Sequence, residues 1–309
     1  MRHLFIVNPV ADGLKGHLKD AIGKIRAFLD NHSQLSGDIH ITRWKRDAVG
    51  FVRRYVQETG EFVRVYAVGG TSTLFEVVNG AIGLPNVQIA NYPLGRCNSF
   101  VRCFGDDKLY LFQSLRNLAF SETIAVDVIR CGFNYSIAFG ALGVESTSGR
   151  TGEALMDWVG YNADVCYRLA AVYYLLRSDS GENYRINLDG VKLDGNYVSI
   201  LAANQPCYGI NLKPGVGAVP NDGLLDLYLV KKTSRFKQLR LMHDYINGQH
   251  GKWFDYISHH TGRRVSVSSE NVMCICADGE RFYNTSIDFE IIPYAVDFVC
   301  PKGVRALRA

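Results

Sequence analysis

Residues 65–83 read VYAVGGTSTLFEVVNGAIG: a strand-like run, two glycines, a Thr-Ser-Thr triplet and then a helical pattern. A turn of this kind suits an anion. Backbone N–H groups and a helix N-terminus can face a phosphate there, and glycine is needed because a Cβ would block the approach. Gly69 and Gly70 meet that demand, and Thr71, Ser72 and Thr73 add hydroxyls, yet the turn itself holds no charged residue. A Gly-Gly turn between strand and helix also occurs without any ligand, so spacing alone leaves both readings open. The turn is not a Walker loop, since no Gly-Lys-Ser/Thr follows. Nor is it a nucleophile elbow, because Leu74 stands where the second glycine is required.

The elements that must position this turn alternate. "HLFIVNP" reads as a strand, "HLKDAIGKIRAFLDNH" as a helix with Leu18, Ile22, Ile25 and Leu29 on one face, and "DIHITRW" as a strand. "DAVGFVRRYVQETG" reads as a helix with Asp47 as N-cap and Gly60 as its stop. "FVRVYAVGG", "TLFEVVNGAIG" and "NVQIANYPLG" continue the alternation, which marks a parallel, helix-covered sheet. From Ile124 onward β runs dominate, with Asp-Gly turn signals in "LDGVKLDGNY" and "CADGERF". Helical patterns recur there in "VCYRLAAVYYLLRS" and "SRFKQLRLMHDYINGQH". The fold class expected is an N-terminal α/β domain with a parallel sheet followed by a C-terminal β-rich, β-sandwich-like domain. The first covers residues 1–123 and is completed by 297–309; the second covers 124–296.

Bulk properties exclude more than they select. A chain of 309 residues with 47% apolar content can bury a large core. Its 34 basic and 30 acidic residues give a net charge of +4 with no basic block, so no nucleic-acid partner is expected. The eight cysteines show no Cys-x-x-Cys and no zinc spacing, which favours reduced thiols and a cytoplasmic location. No apolar stretch reaches transmembrane length, so any membrane contact is expected to be peripheral. The Asn-x-Ser/Thr patterns at Asn31, Asn134 and Asn284 read as chance matches. His259 and His260 are neighbours that point apart, and His243 falls on a helical pattern, so neither position offers a ligand pair.

Four motifs lie at successive strand ends, where open α/β sheets bind ligands: "IVNPVADGLKG", "ITRWKRDA", "VGGTSTLFEVVNGAIG" and "YPLGRCNSFVRCFG". Their order resembles the diacylglycerol kinase catalytic-domain family, which includes sphingosine, ceramide and bacterial lipid kinases. That family has Asn-Pro at the first strand end, a Gly-Gly-Asp-Gly-Thr turn followed by Glu-Val-Val-Asn-Gly, and then Pro-Leu-Gly-Thr-Gly-Asn-Asp. "FGALGVES", "AANQPCYG", "PNDGLLDLYLV" and "CADGERF" extend the resemblance across nearly the whole chain.

The resemblance implies ATP as phosphate donor, magnesium as cofactor and a lipid hydroxyl at a membrane surface as acceptor, with the nucleotide in the cleft between the domains. It implies that Asn8 contacts the nucleotide, that Thr42 and Thr73 line the phosphate channel, and that Glu76 and Asn79 support the turn formed by Gly69 and Gly70. Glu280 becomes the general base. Asp222 and Asp226 match a segment that holds structural magnesium in some bacterial members, beside the plainer reading of a turn carboxylate and a strand residue. The chain departs from the family where Thr71 and Ser72 replace Asp-Gly, and where Arg96, Cys97 and Ser99 stand in the Thr-Gly-Asn-Asp stretch, of which only Asn98 is kept. Arg96 could hold phosphate oxygens bidentately or simply be solvated. Three readings follow: a lipid kinase of full or reduced activity, a non-catalytic nucleotide- or lipid-binding sensor, and a transferase with another donor or acceptor. "YRLAAVYYLLRS" is either a lipid-facing stripe or core, and a homodimer stays open.

Overall fold

The structure is a computed structural model that describes residues 1–95, 97–147, 163–177, 181–209 and 212–304. The chain divides into two compact units, Met1–Asp127 with Tyr294–Ala309, and Val128–Pro293.

In the first unit β1 (Arg2–Val7), β2 (Ser36–Ile41), β3 (Val63–Gly69) and β4 (Val87–Pro93) are parallel, in the order β2-β1-β3-β4. Asp297 and Phe298, near the end of the last strand of the chain, add beside β4. Helices α1 (Leu18–Asp30), α2 (Asp47–Thr59) and α3 (Thr71–Ala81) connect the strands. The chain leaves β1 for β2 on one side and returns to β3 on the other, so the carboxyl ends of β1 and β3 form a topological switch point, the place where such sheets open a ligand crevice. β3 is buried at every position, as a central parallel strand covered on both faces must be. Its Arg64 is tolerated because the guanidinium donates to the carbonyls of Leu118, Ala119 and Ser121 and to Gln88. The helices α4 (Ser99–Arg102), α5 (Leu109–Phe112) and α6 (Leu115–Phe120) follow β4.

Two details of α2 show how distant groups finish a local element. Gly60 ends the helix in the left-handed region at φ 63°, as its sequence position predicts. Asp47, however, is the first helical residue rather than the cap. Its carboxylate accepts from the Arg43 N–H and pairs with His40, while Glu76 of α3 takes the N–H groups of Arg46 (2.8 Å) and Ala48 (3.2 Å). The cap therefore comes from the neighbouring helix. The two helices approach closely at Gly80, where a Cβ would lie 2.9 Å from Val52 Cβ.

The second unit is mainly antiparallel. β10 (Gly195–Ala203) pairs with β7 (Phe139–Gly143), β8 (Glu182–Leu188) and β11 (Leu225–Lys231), and β11 pairs with β12 (Ile257–Gly262). β13 (Arg264–Ala277) pairs with β8 through its first half and with β7 through its second, the end of β5 (Thr123–Cys131) pairs with β6 (Asn134–Ser136), and the short β9 (Val191–Lys192) pairs with β8. β14 (Glu280–Val299) follows β13. Two of the Asp-Gly signals become two-residue hairpins: Asp189-Gly190 has φ values of 47° and 93°, Asp278-Gly279 of 48° and 90°, the paired positive φ of a type I′ turn, whereas Asp194-Gly195 leads straight into β10. Helices α7 (Ala163–Arg177) and α8 (Arg235–Ile246) occupy the two helical patterns. α7 buries Cys166, Ala170 and Leu175 and exposes Leu169, Tyr173 and Leu176, so its stripe is part core and part surface.

Cys97, Cys131, Cys166, Cys274, Cys276 and Cys300 are free thiols. Among the described residues no helix is long and apolar enough to cross a membrane.

Candidate functional site

In the first unit the candidate site is assembled at the switch point. β3 ends in Gly69, and Gly70 begins α3 as an extended N-cap with no side-chain cap. The first-turn N–H groups of an uncapped helix are the donors an anion uses. Packing fixes the turn from both sides. The Gly69 carbonyl accepts from the N–H groups of Leu94 and Gly95, both at 2.9 Å, which clamps the loop after β4 onto it. A Cβ on Gly95 would lie 2.1 Å from Gly70 Cα, and one on Gly69 2.3 Å from Thr73 Oγ1. Glycine at 95 is thus required by backbone approach and glycine at 69 by the Thr73 side chain, whatever binds.

The neighbouring side chains interlock. Asn8, just past β1, donates from Nδ2 to Thr73 Oγ1 at 3.2 Å and folds its own turn by accepting from the Val10 N–H. Thr42 stands at the end of β2, its N–H and hydroxyl both donating to the Val7 carbonyl. Thr73 is buried, whereas Ser72 is exposed. Thr71 Oγ1 accepts from the Ser99 N–H at 3.1 Å and lies 3.3 Å from Ser99 Oγ. The residue standing in the family's aspartate position therefore ties the two loops together with a neutral hydroxyl. Asn98 sits in the left-handed region at φ 46°, which asparagine tolerates, and donates to the Gly95 carbonyl at 2.6 Å. Its Oδ1 is buried without a protein partner. Glu76 is committed to the α2 start as described, and Asn79 donates to the Phe75 carbonyl one turn back. Arg96 lies outside the described residues.

The turn's side chains offer only neutral oxygens. Magnesium takes hard oxygen ligands and is commonly carried by substrate phosphates with few protein carboxylates, so this set fits an ion that arrives on the nucleotide better than one held by the protein beforehand.

The remaining expected site residues belong to the second unit. Glu280 opens β14 opposite Ala277 and is half-buried, immediately after the Asp278-Gly279 turn. Asp278, unnoticed in the sequence except as a turn residue, is what anchors that turn. Its buried carboxylate accepts from the N–H groups of Ile137 (2.7 Å), Ala138 (3.1 Å) and Phe139 (3.1 Å). Burial nevertheless pushes its pKa up to about 6. Asp222 accepts from the Leu224 N–H in an Asx turn, and burial raises its pKa. Asp226 is buried and pairs with His259 Nε2 at 2.6 Å. Among the described residues no group of three or more His, Cys, Asp or Glu side chains is arranged to hold a metal.

A second buried carboxyl was also hidden in the sequence. Glu145 follows β7, and its Oε1 accepts from Ser199 Oγ at 2.7 Å. Burial pushes its pKa up to about 7, against the hydrogen bond from Ser199. "FGALGVES" carried the acid in plain view, but nothing local signals that strand β10 and helix α8 will close over it.

This arrangement of an α/β unit with a glycine-clamped, uncapped helix start at its switch point and a β-rich unit defines a class. Residues 2–131 match the diacylglycerol kinase catalytic domain, and residues 142–300 match the YegS C-terminal NAD kinase beta sandwich-like domain. The chain belongs to this lipid kinase-like family. It is similar to a "Probable lipid kinase YegS-like" from Shewanella frigidimarina, with 26% identity over 277 residues that cover 87% of this chain and 86% of the relative. In fold it is similar to a crystal structure described as a diacylglycerol kinase from Bacillus anthracis, with a TM-score of 0.72 at 21% identity over 98% of both chains.

Proposed function

We propose that the protein transfers the γ-phosphate of magnesium-bound ATP to a lipid hydroxyl. The Gly69–Gly70 turn and the α3 N-terminus receive the phosphates, with Thr73 and Asn98 lining them and Asn8 contacting the nucleotide. Glu280 takes the acceptor's proton, the freed oxygen forms the new P–O bond, and the bond to the β-phosphate oxygen breaks to release ADP. Phosphoryl transfer asks the protein mainly for positioning and charge neutralisation, which backbone donors and a nucleotide-borne metal ion supply in this scheme. Arg96 adds a cation for the phosphates. The observation that carries the reading is the turn itself: no room for a Cβ at Gly69 or at Gly95 packed against it, followed by an uncapped helix start.

One observation favours a rival. Thr71 spends its oxygen on the Ser99 N–H where a carboxylate would organise metal, as suits a non-catalytic nucleotide sensor. Calorimetric titration with ATP and magnesium separates the two, run beside a Thr71→Asp/Ser72→Gly variant. The kinase reading expects micromolar binding by the native chain and lipid phosphorylation that Glu280→Ala abolishes. Binding by the variant alone overturns it, and binding without turnover supports the sensor. A transferase with another phosphorylated donor is supported instead if Arg96→Ala abolishes binding of that donor while ATP is not bound at all.

A further inference from the structure

The second unit carries an edge that none of the expected site residues uses. Between the end of β11 and the middle of α8 the sequence reads KKTSRFKQLR, residues 231–240, with five basic residues and no acidic one. Phe236 in the first turn of α8 is 88% exposed. A short 3-10 turn, His250–Trp253, leads to Phe254, which is 76% exposed, and brings the further cation Lys252.

These two stretches form one surface. Lys237 donates to the Tyr256 hydroxyl at 2.6 Å and lies 3.9 Å from the centre of the Tyr256 ring, and the Lys231 N–H donates to the Tyr256 carbonyl. Phe236 is the chain neighbour of Lys237 and Phe254 stands two residues before Tyr256, so the two stretches that meet in this cation–aromatic contact each carry one of the exposed rings. The side-chain hydrogen bonds of Lys237 and Lys252 go to neutral partners, Tyr256 and Gln249, so their charge is not spent on carboxylates. Arg235, Arg240 and Lys231 are exposed. Two acids share the edge: Asp244, which accepts from the Trp253 indole, and the exposed Asp255. The basic residues outnumber them. Phe133 is fully exposed as well, but it stands at a hairpin tip beside an Arg130 already paired with Glu290.

A largely exposed phenylalanine loses free energy to water, and two of them beside clustered cations match an interface that is apolar within and negative at its surface. We propose that this edge docks the protein onto an anionic lipid bilayer, with Phe236 and Phe254 entering the headgroup boundary and Lys231, Arg235, Arg240 and Lys252 meeting lipid phosphates. The inference deepens the lipid-kinase reading by naming a surface from which an acceptor would be reached, but it stands on binding and not on turnover.

The test is co-sedimentation of the full chain with phosphatidylcholine vesicles, with and without phosphatidylglycerol, in the absence of nucleotide. Binding is expected only to the anionic vesicles, and it should weaken as salt screens the surface. Arg235→Gln/Arg240→Gln should lose roughly fivefold for each positive charge removed. Phe236→Ser/Phe254→Ser should lose about tenfold or more at unchanged thermal stability, since both rings leave water only on the membrane. Equal binding to neutral vesicles, no binding to anionic ones, or parental binding by the Phe double variant overturns the proposal. Salt-sensitive binding to a single-stranded oligonucleotide that ignores the Phe double change would reassign the edge to polyanions and overturn it too. Phosphorylation of detergent-dispersed lipid without vesicle binding would sink the docking surface alone, and vesicle binding without any ATP affinity would sink the kinase alone.

Discussion

The turn at Gly69–Gly70 and the turn at Asp278–Gly279 solve opposite problems with the same residue type. In the first, glycine is used for what it lacks: a Cβ at 69 or 95 has no room, and the turn is left neutral with helix donors facing outward. In the second, a Cβ on Gly279 would meet open space, and glycine is used for its positive φ of 90°. There a buried carboxylate, not the glycine, holds the turn through three backbone N–H groups. The first turn is thus uncharged and closely packed, and the second is held by side-chain charge. The same substitution should fail in one and be borne in the other.

The largest effect is expected from Gly95→Ala. Its Cβ would meet Gly70 backbone at 2.1 Å, and nothing flexible can yield, so it should cost roughly 3 kcal/mol or more and remove nucleotide binding. Gly279→Ala should cost only about 1 kcal/mol of backbone strain. Thermal unfolding of the two variants side by side checks this, and equal losses would break the comparison. Asp278→Ala comes next. It strands the N–H groups of Ile137 and Ala138 in the interior, while Phe139 keeps its bond to Ser136 Oγ, and should cost about 3 kcal/mol, read as a fall in the denaturant midpoint.

The pH response is smaller and its sign follows from burial. Asp278 is held up to about 6 and Glu145 up to about 7, both above the ordinary carboxylate range. The folded chain therefore keeps protons the unfolded chain has released, and stability falls as pH rises from about 4 through the two folded values. Melting temperature should rise on acidification from pH 8 toward about 5, and Glu145→Gln should flatten that rise and gain on the order of 2 kcal/mol at the alkaline end. A profile unchanged by Glu145→Gln would remove Glu145 from the account. Least is expected from Thr71→Val, which deletes one neutral hydrogen bond to the Ser99 N–H: about 1 kcal/mol by chemical denaturation.

Much of this molecule is legible in short stretches of its chain. The alternation up to residue 120, the stop at Gly60, both Asp-Gly hairpins and the strand–Gly-Gly–helix turn are local events. Each rests on backbone preferences or on an apolar period that a window of a few residues already contains. The helix α2 cap was misread for the complementary reason. Asp47 has the right chemistry at the right place, but Glu76, 30 residues from Arg46, takes the N–H groups of Arg46 and Ala48 once α3 packs on α2, and the Asp47 carboxylate turns to Arg43 and His40.

The same division holds at the candidate site. That residues 69–73 form a turn with helix donors is written in their order. That Thr71 reaches Ser99, that Asn8 reaches Thr73, that Asp278 binds residues 137–139 and that Glu145 lies under Ser199 depend on segments between 28 and 141 positions apart along the chain. A hydrogen bond is directional and lasts only over a few tenths of an ångström, so which polar groups meet is decided after strand order and helix packing have set the distances. Hydrophobic period and turn chemistry act earlier and over shorter range, and they need no partner to be identified.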